Sequence, residues 1–135
     1  MRLLLDTHVY LWALDNTNRL GARTRALITD RNNDIFVSIV SLWEIVLKSD
    51  RLKADVPRVL QAVEPSGFIL LPLAIEHLEA QLGRGKVLAD PFDALLIAQA
   101  DHEHLTLATE DEAILSRQPV DLIECSTGRR SKRRP

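Results

Sequence analysis

The sequence predicts an α/β fold in which a mostly parallel central sheet of about five strands is covered by helices on both faces. Short apolar runs alternate along the chain with longer helical patterns, and this alternation is typical of βαβ units. Within the runs, consecutive residues are apolar, as in strands that are buried on both faces. The 135 residues, of which 46% are hydrophobic, suffice for one domain with a hydrophobic core and are too few for two.

The predicted strands are short apolar runs bounded by turn-forming or charged residues. In chain order they are Leu3–Leu5, Ile35–Val37, Phe68–Leu71, Leu105–Ala108 and Asp121–Glu124. The sequence Asn32-Asn33-Asp34 predicts a turn before the second strand, and Pro65-Ser66-Gly67 predicts one before the third.

Helical patterns fill the intervals between these strands. They cover Val9–Leu14, Ala22–Asp30, Ser38–Ser49, Arg58–Val63, Ala74–Leu82, Asp90–Asp101 and Glu110–Ser116. Pro57 and Pro91 are typical of a first helical position, because their missing N–H has no partner there in any case. Gly83–Lys86 is predicted to be a flexible basic loop.

Charge divides the chain into an acidic body and a basic end. Net charge is −2, but five of the 17 Lys and Arg residues lie in residues 129–135, which leaves residues 1–128 near −7. We expect the folded domain to span residues 1–126 and the tail, residues 127–135, to be disordered. The apolar run near the N-terminus is too short for a signal peptide, and no stretch approaches a membrane span. We therefore expect a cytoplasmic protein with no membrane contact.

Four acidic residues from distant segments are predicted to meet at one edge of the sheet. Asp6 follows the first strand, Asp111 follows the fourth, and Glu44 and Asp93 lie early in helices. Ligands of such folds bind beyond the carboxyl ends of the strands. Converging carboxylates repel one another unless a cation neutralises them, and Mg²⁺ prefers oxygen ligands.

Each acid also has a structural alternative, because acidic residues stabilise the first turn of a helix. Asp90-Pro91 is typical of a helix start, with Asp90 as the cap. Asp93, in contrast, lies among apolar residues, where an unpaired carboxylate costs several kcal/mol. Thr7 can cap the first helix, which leaves Asp6 without a structural role.

Four motifs in this order and spacing resemble the PIN-domain family, and within it the VapC-type toxins of bacterial toxin–antitoxin pairs. They extend over about residues 1–124 and are Leu4-Leu5-Asp6-Thr7-His8 with Leu11-Trp12, Ser41-Leu42-Trp43-Glu44-Ile45, Asp90-Pro91-Phe92-Asp93 continuing as Leu95-Leu96-Ile97-Ala98-Gln99-Ala100, and Thr109-Glu110-Asp111-Glu112. The first and third motifs are the more specific ones.

The resemblance implies a three-layer α/β/α domain that cuts RNA with Mg²⁺, or with Mn²⁺ as a substitute. It implies that Asp6 and Asp93 are the main metal ligands, with Glu44 and Asp111 acting directly or through water. The supporting residues that it implies are Thr7, Ser38, Asp90 and Thr109. Members are usually inhibited by a cognate antitoxin protein and often form homodimers. The number of metal ions stays open.

RNA must be held against an acidic body. Arg84 and Lys86 are the first candidates for phosphate contacts, with Lys48 and Arg51 after them, and solvated surface charge is the alternative. The basic tail either binds RNA electrostatically or is inert. Trp12 and Trp43 fall at apolar helix positions, which indicates the core or a partner groove rather than base stacking.

Two other functions are compatible with an α/β domain. A receiver-like or phosphatase-like domain takes phosphate at one strand-end Asp, but the phosphatase pattern expects an acid at position 8, which is His8. A catalytically silent interaction module predicts a broken set of acids, and here the set is intact.

Overall fold

The computed structural model of the protein describes residues 1–85 and 88–133. The strands of this part of the chain are β1 (Arg2–Leu5), β2 (Asp34–Ser38), β3 (Ile69–Leu71), β4 (Thr106–Thr109), β5 (Leu122–Glu124) and β6 (Arg129–Ser131). Its helices are α1 (Thr7–Asp15), α2 (Ala22–Thr29), α3 (Ile39–Leu47), α4 (Ser49–Leu52), α5 (Val56–Gln61), α6 (Ile75–Arg84), α7 (Pro91–His102) and α8 (Glu112–Arg117).

The sheet has the order β3-β2-β1-β4-β5-β6. The strands β1 to β5 are parallel, and β6 pairs antiparallel with β5. In the centre, Leu4 of β1 lies between Phe36 of β2 and Leu107 of β4. The predicted α/β fold with a mostly parallel sheet is confirmed. The strands β2 and β3 lie on one side of β1, and β4, β5 and β6 lie on the other. The strand order therefore reverses between β1 and β4, and open α/β sheets bind ligands at such a position.

Side chains of β1 alternate between two apolar cores, one on each face of the sheet. Leu3 and Leu5 belong to a core that also contains residues of α1, α2, α3 and α5. Leu4 belongs to the opposite core, which is filled mainly by α7 and α8. All three leucines are fully buried. The helices therefore form the two outer layers, and β1 is covered on both faces, as its continuous apolar run predicts.

Two predicted helices have different boundaries in the structure. The helix predicted over residues 38–49 starts only after Ser38, whose side chain caps α3, and it breaks at Lys48, where the backbone leaves the helical region before α4. The predicted loop at residues 83–86 is wrong for its first half, because α6 continues through Arg84. Gly85, with φ of 69°, ends the helix, since glycine tolerates this left-handed backbone. Lys86 lies outside the described residues.

The tail that was predicted to be disordered from Thr127 is ordered where the structure describes it. Gly128 turns the chain with φ of 72°, and residues 129–131 add β6 to the edge of the sheet. Beyond β6, the Arg133 amide donates to Asp121 at 2.7 Å, and its guanidinium donates to Asp101 at 2.9 Å. The prediction failed because composition does not show that the basic tail can pair with the edge of β5 and contact the carboxylates of Asp121 and Asp101.

None of the helices in residues 1–85 and 88–133 combines the length and the apolar character needed to span a bilayer.

Gly21 offers a test of the contact between the start of α2 and the segment that follows β5. A methyl group on Gly21 would lie 2.2 Å from the Ser126 carbonyl oxygen, so Gly21→Ala must displace backbone. We expect a loss of about 1–3 kcal/mol in the free energy of unfolding. Gly83→Ala is the matched control, because Gly83 lies in α6 with open space around it. The control should gain about 0.5–1 kcal/mol. Urea denaturation of both variants measures the difference, and equal stabilities would contradict the close packing at Gly21.

Candidate active site

The acidic residues that the sequence singles out line one cleft of about 320 Å³ at the carboxyl edge of the sheet. Asp6 comes directly after β1, and Asp111 comes two residues after β4. Glu44 extends from α3, and Asp93 from the first turn of α7. The adjacency of β1 and β4 brings Asp6 beside the end of β4, where its backbone amide donates to the Ala108 carbonyl at 3.0 Å. Glu110 lines the same cleft and was not singled out by the sequence.

Asp6 has a structural role that the sequence analysis did not assign to it. Its side chain caps α1 by accepting a hydrogen bond from the Val9 amide at 3.0 Å, and it also accepts one from the Thr109 hydroxyl. The expectation that Thr7 performs this capping is therefore wrong, since Thr7 already lies inside the helix. Burial raises the pKa of Asp6 to about 6, although the hydrogen bonds from Thr109 and Val9 act in the opposite direction.

Asp93 is the acid with the least compensation. Within the described part of the chain, no hydrogen bond or ion pair reaches its carboxylate. Burial raises its pKa to about 7, and the negative charges that add to this effect come from Asp90, Asp111, Asp6 and Glu44, in this order. A carboxylate that is held among other carboxylates without a donor is most easily stabilised by a cation.

Glu44 is buried and has a partner for each of its two oxygen atoms. The Thr7 hydroxyl donates to Oε1 at 2.5 Å, and Lys48 donates to Oε2 at 2.7 Å. Lys48 also lies 3.6 Å from Asp90, and the hydrogen bond to Glu44 raises the pKa of this lysine. Lys48 thus supplies positive charge inside the cleft and is committed to these two acids.

Asp111 and Asp90 are helix caps at the rim of the cleft. Asp111 is exposed and accepts from the Ile114 amide at 3.1 Å, at the start of α8. Asp90 accepts from the amides of Phe92 and Asp93, at 2.8 and 3.1 Å, at the start of α7. The structural alternative weighed for these acids therefore describes a real part of their chemistry, and it coexists with their position around the cleft.

Ser38 does not line the cleft, in contrast to the role that the resemblance implies. Its hydroxyl caps α3 at the Val40 amide and donates to Gln99 of α7 at 2.5 Å, fully buried. This bond joins the two helices that carry Glu44 and Asp93. The buried network continues from Gln99 to His77. The sequence analysis did not single out either residue, because nothing in the local pattern shows that they are buried.

Arg84, one of the two cations predicted to contact phosphate, is bound to other groups of the protein. The Arg84 guanidinium donates to Asp101 at 2.8 Å and to the Pro119 carbonyl at 3.0 Å. Asp101 lies near the end of α7, whereas Asp93 lies at its start, so Arg84 is far from the cleft along this helix. The prediction failed because α6 includes Arg84 and directs it to a partner. Lys86 lies outside the described residues.

The donor set of the cleft fits a hard divalent cation in its chemistry. Its acidic side chains offer the oxygen ligands that such cations prefer. The pKa values of Asp6 and Asp93 are raised, and no protein group of the described residues donates a hydrogen bond to the Asp93 carboxylate. Among residues 1–85 and 88–133, however, no three side chains of His, Cys, Asp or Glu form a preassembled metal-binding group. Asp6 and Asp93 are the residues that we would assign to a cation, because each carboxylate oxygen retains lone pairs beyond its hydrogen bonds.

Comparison with known proteins identifies the family. A profile of the PIN domain matches residues 3–119, and the chain belongs to this family. PIN domains are generally nucleases that use divalent metal ions. No curated protein sequence matches the chain.

Solved structures with the same fold include two bacterial complexes. A chain in VapBC2 from Rickettsia felis, bound to a DNA fragment from its promoter, shares 17% identity with a TM-score of 0.61, over 86% of this chain and 92% of that one. A chain in VapBC-1 from nontypeable Haemophilus influenzae shares 14% identity with a TM-score of 0.60, over 86% and 94%. At these identities, the similarity concerns the fold.

The raised pKa values predict how stability of the metal-free protein depends on pH. Asp6 and Asp93 have folded-state pKa values near 6 and 7 against an ordinary 3.8, so the folded protein binds more protons than the unfolded chain between about pH 4 and 7. This contribution to stability is present at low pH and is lost as the pH rises through that window.

Asp93→Asn removes the titration and should therefore stabilise the metal-free protein at pH 7.5. We expect a gain on the order of 2 kcal/mol, after allowance for the partial exposure of the side chain. The gain should shrink towards pH 4. Urea denaturation in EDTA at both pH values measures it. A destabilised variant at pH 7.5 would show that Asp93 is compensated in a way that the structure does not contain.

Proposed function

We propose that the protein is a metal-dependent endoribonuclease that hydrolyses RNA phosphodiester bonds with Mg²⁺, or with Mn²⁺ in its place. We further propose that it acts in the cytoplasm as the toxin of a toxin–antitoxin pair. The observation that carries the enzymatic proposal is the cleft at the end of β1 and β4, in which Asp6 and Asp93 have raised pKa values among further carboxylates. The RNA substrate and the toxin role rest on the four sequence motifs that resemble VapC-type toxins.

The residues of the cleft divide into holding and positioning roles. Asp6 and Asp93 would hold a divalent cation directly, and Asp111 and Glu44 would act on it directly or through water. A divalent cation held there would act as a Lewis acid, which would activate a water molecule and offset the charge of the phosphate. Thr109 positions the carboxylate of Asp6 by its hydroxyl bond.

Two more residues set the surroundings of the acids. Thr7 fixes one oxygen of Glu44, and Lys48 holds the other. Lys48 also places a positive charge beside the position where the phosphate must sit, so it partly offsets the repulsion between the substrate and the acids. Because Glu44 already has a partner on each oxygen, we assign it the weaker contact with a cation.

A catalytically silent interaction module is the second candidate, and two observations favour it. The described residues contain no preassembled metal group, and Lys48 neutralises Glu44 without a metal. On this alternative, the acids serve only as helix caps, as Asp6, Asp90 and Asp111 do. Asp93 argues against it, since this acid caps nothing among the described residues and destabilises the metal-free cleft.

An antitoxin partner and a homodimer are also proposals. Both comparison structures are named as two-component VapBC assemblies, which supports a protein partner for this chain. An apolar groove of about 390 Å³ supports an interface, and its lining consists of Ile39, Val40, Trp43, Leu70, Pro72 and Leu73. Several of these side chains are unusually exposed for their size, with Trp43 at 55%. Exposed apolar patches of this kind mark protein contact surfaces. We assign this face to the homodimer.

Replacement of either principal acid tests the enzymatic proposal. Asp6→Asn and Asp93→Asn should each reduce Mg²⁺-dependent cleavage of total cellular RNA by about 100-fold or more, the scale for loss of one electrostatic contribution to a transition state. Asp34→Asn is the matched control, since Asp34 is exposed at the opposite end of a strand, at the start of β2. Gel analysis with mapping of the cut ends measures the products, with Mg²⁺, with Mn²⁺ and with EDTA.

The outcomes separate the candidates. Full cleavage in EDTA, or by either Asn variant, would contradict a metal-dependent mechanism at this cleft. A folded wild-type protein that cuts neither RNA nor single-stranded DNA with either metal would favour the silent module.

The dimer proposal predicts that charge in the apolar groove separates the protomers. Leu73→Asp should convert a dimer to a monomer, because an unpaired carboxylate in an apolar interface costs about 3–5 kcal/mol. Leu60→Asp on α5 is the control, because Leu60 and Leu73 are both 42% exposed and only Leu73 lines the groove. Light scattering coupled to size-exclusion chromatography measures the mass. A wild-type monomer, or equal masses for both variants, would contradict the assignment of this face.

A further inference from the structure

A second groove, which we call the side groove, opens from the acidic cleft between α1 and α4. It has a volume of about 340 Å³ and shares five residues with the cleft, namely His8, Trp12, Arg19, Arg51 and Leu52. The two spaces therefore lie next to each other and have these residues as a common wall. A chain-like ligand that reaches the acids from this side must pass over the five shared residues.

Two cations of this wall are free of carboxylate partners. Lys48 is bound to Glu44 and Asp90, and Arg58, which also lines the side groove, is bound to Asp15 at 3.0 Å. Arg19 and Arg51 are exposed, and neither of them forms an ion pair with any carboxylate of residues 1–85 or 88–133. An arginine without a carboxylate partner at the mouth of an acidic cleft is available for an anion from outside.

Planar groups lie next to these cations. The Arg19 guanidinium lies 5.7 Å from the centre of the Trp12 ring, and the His8 ring lies 6.0 Å from Trp12 with 37° between the two planes. Trp12 is half-buried, so its inner part packs on the core while it lines the groove. Exposed aromatic and guanidinium planes are the surfaces on which unpaired bases stack.

We propose that the side groove binds the single-stranded RNA segment that flanks the scissile phosphate, with Arg19 and Arg51 on its phosphates and one base stacked on the guanidinium that Arg19 holds over Trp12. This proposal rests on the proposed function and adds the direction from which the substrate enters. It explains how RNA approaches a cleft whose acids repel phosphate, because two unpaired cations border the cleft at the point where the side groove begins.

The alternative occupant is an acidic segment of a partner protein. Two observations favour RNA. The groove adjoins the cleft that holds the acids, and its wall offers stacked planes beside the cations rather than cations alone. Bases that are already paired in a duplex cannot use such planes, so the proposal is specific to unpaired RNA.

The test combines binding and kinetics of Arg19→Ala/Arg51→Ala. In the Asp93→Asn background, the double variant should bind a fluorescent single-stranded RNA about 100-fold more weakly, or roughly tenfold for each charged hydrogen-bonding group. The slope of log K against log salt should fall by about 1.4, because each lost phosphate contact removes about 0.7 for a single strand. In the active enzyme, KM should rise while kcat at saturating RNA stays unchanged, since the arginines do not touch the reacting atoms.

Two further variants separate position from charge. Arg31→Ala removes an exposed arginine before the start of β2, away from the cleft, and should behave as the unchanged protein. Arg19→Lys/Arg51→Lys retains both charges and should restore most of the salt slope. A duplex of the same sequence should bind the unchanged protein more weakly than the single strand.

The results distinguish a failure of the side-groove proposal from a failure of the proposed function. If the protein cuts RNA but the double variant and Arg31→Ala bind it alike, the side groove is not the RNA track, and the proposed function stands. If the unchanged protein neither binds nor cuts RNA, the proposed function fails. Equal binding of duplex and single strand would overturn the specificity for unpaired RNA. If the unchanged protein binds a polyglutamate peptide and Arg19→Ala/Arg51→Ala does not, while both bind RNA alike, the groove is assigned to an acidic protein segment instead.

Discussion

The fold gathers negative charge at the adjacent ends of β1 and β4, and the surrounding elements have to accommodate it. The order of the sheet brings Asp6 to the end of β4, and two helices add Glu44 and Asp93. Carboxylates in such a position favour their neutral forms, and burial accordingly raises the pKa of Asp6 and of Asp93. A fold that retains such a cluster gives up stability, which is expected of a functional site rather than of a scaffold.

The protein limits this loss of stability because most of the acids also cap a helix or form an ion pair. Asp6, Asp90 and Asp111 each accept backbone amides at a helix start, so their charge also satisfies donors that would otherwise lack partners. Glu44 is neutralised by Lys48. Capping a helix and lining the acidic cleft are therefore compatible roles for one residue. Asp93 alone among these five acids has neither kind of compensation within the described chain, and this makes it the sharpest indicator of a cation.

Some basic side chains pair with carboxylates of the fold and others border the cleft. Composition alone could not show which residues belong to which group. Arg84 from the predicted loop and Arg133 from the basic tail serve the fold, since they share the carboxylate of Asp101 at the far end of α7. Arg19 and Arg51, which come from the segments after α1 and within α4, border the acidic cleft without carboxylate partners of their own. The net charge near −7 of residues 1–128 thus hides a local cationic edge.

Apolar periodicity was enough to predict the alternation of strands and helices and the parallel sheet, because it is a local property of the sequence. The rule that ligands bind at the carboxyl ends of parallel strands was enough to predict that four acids line one cleft. The sequence also indicated Asp90 as a cap. Only the tertiary structure decided which side chains share partners: the capping role of Asp6, the burial of Ser38 away from the cleft, and the ordering of the tail as β6. These outcomes depend on groups distant in sequence, and a hydrogen bond or an ion pair forms only where the fold brings donor and acceptor together.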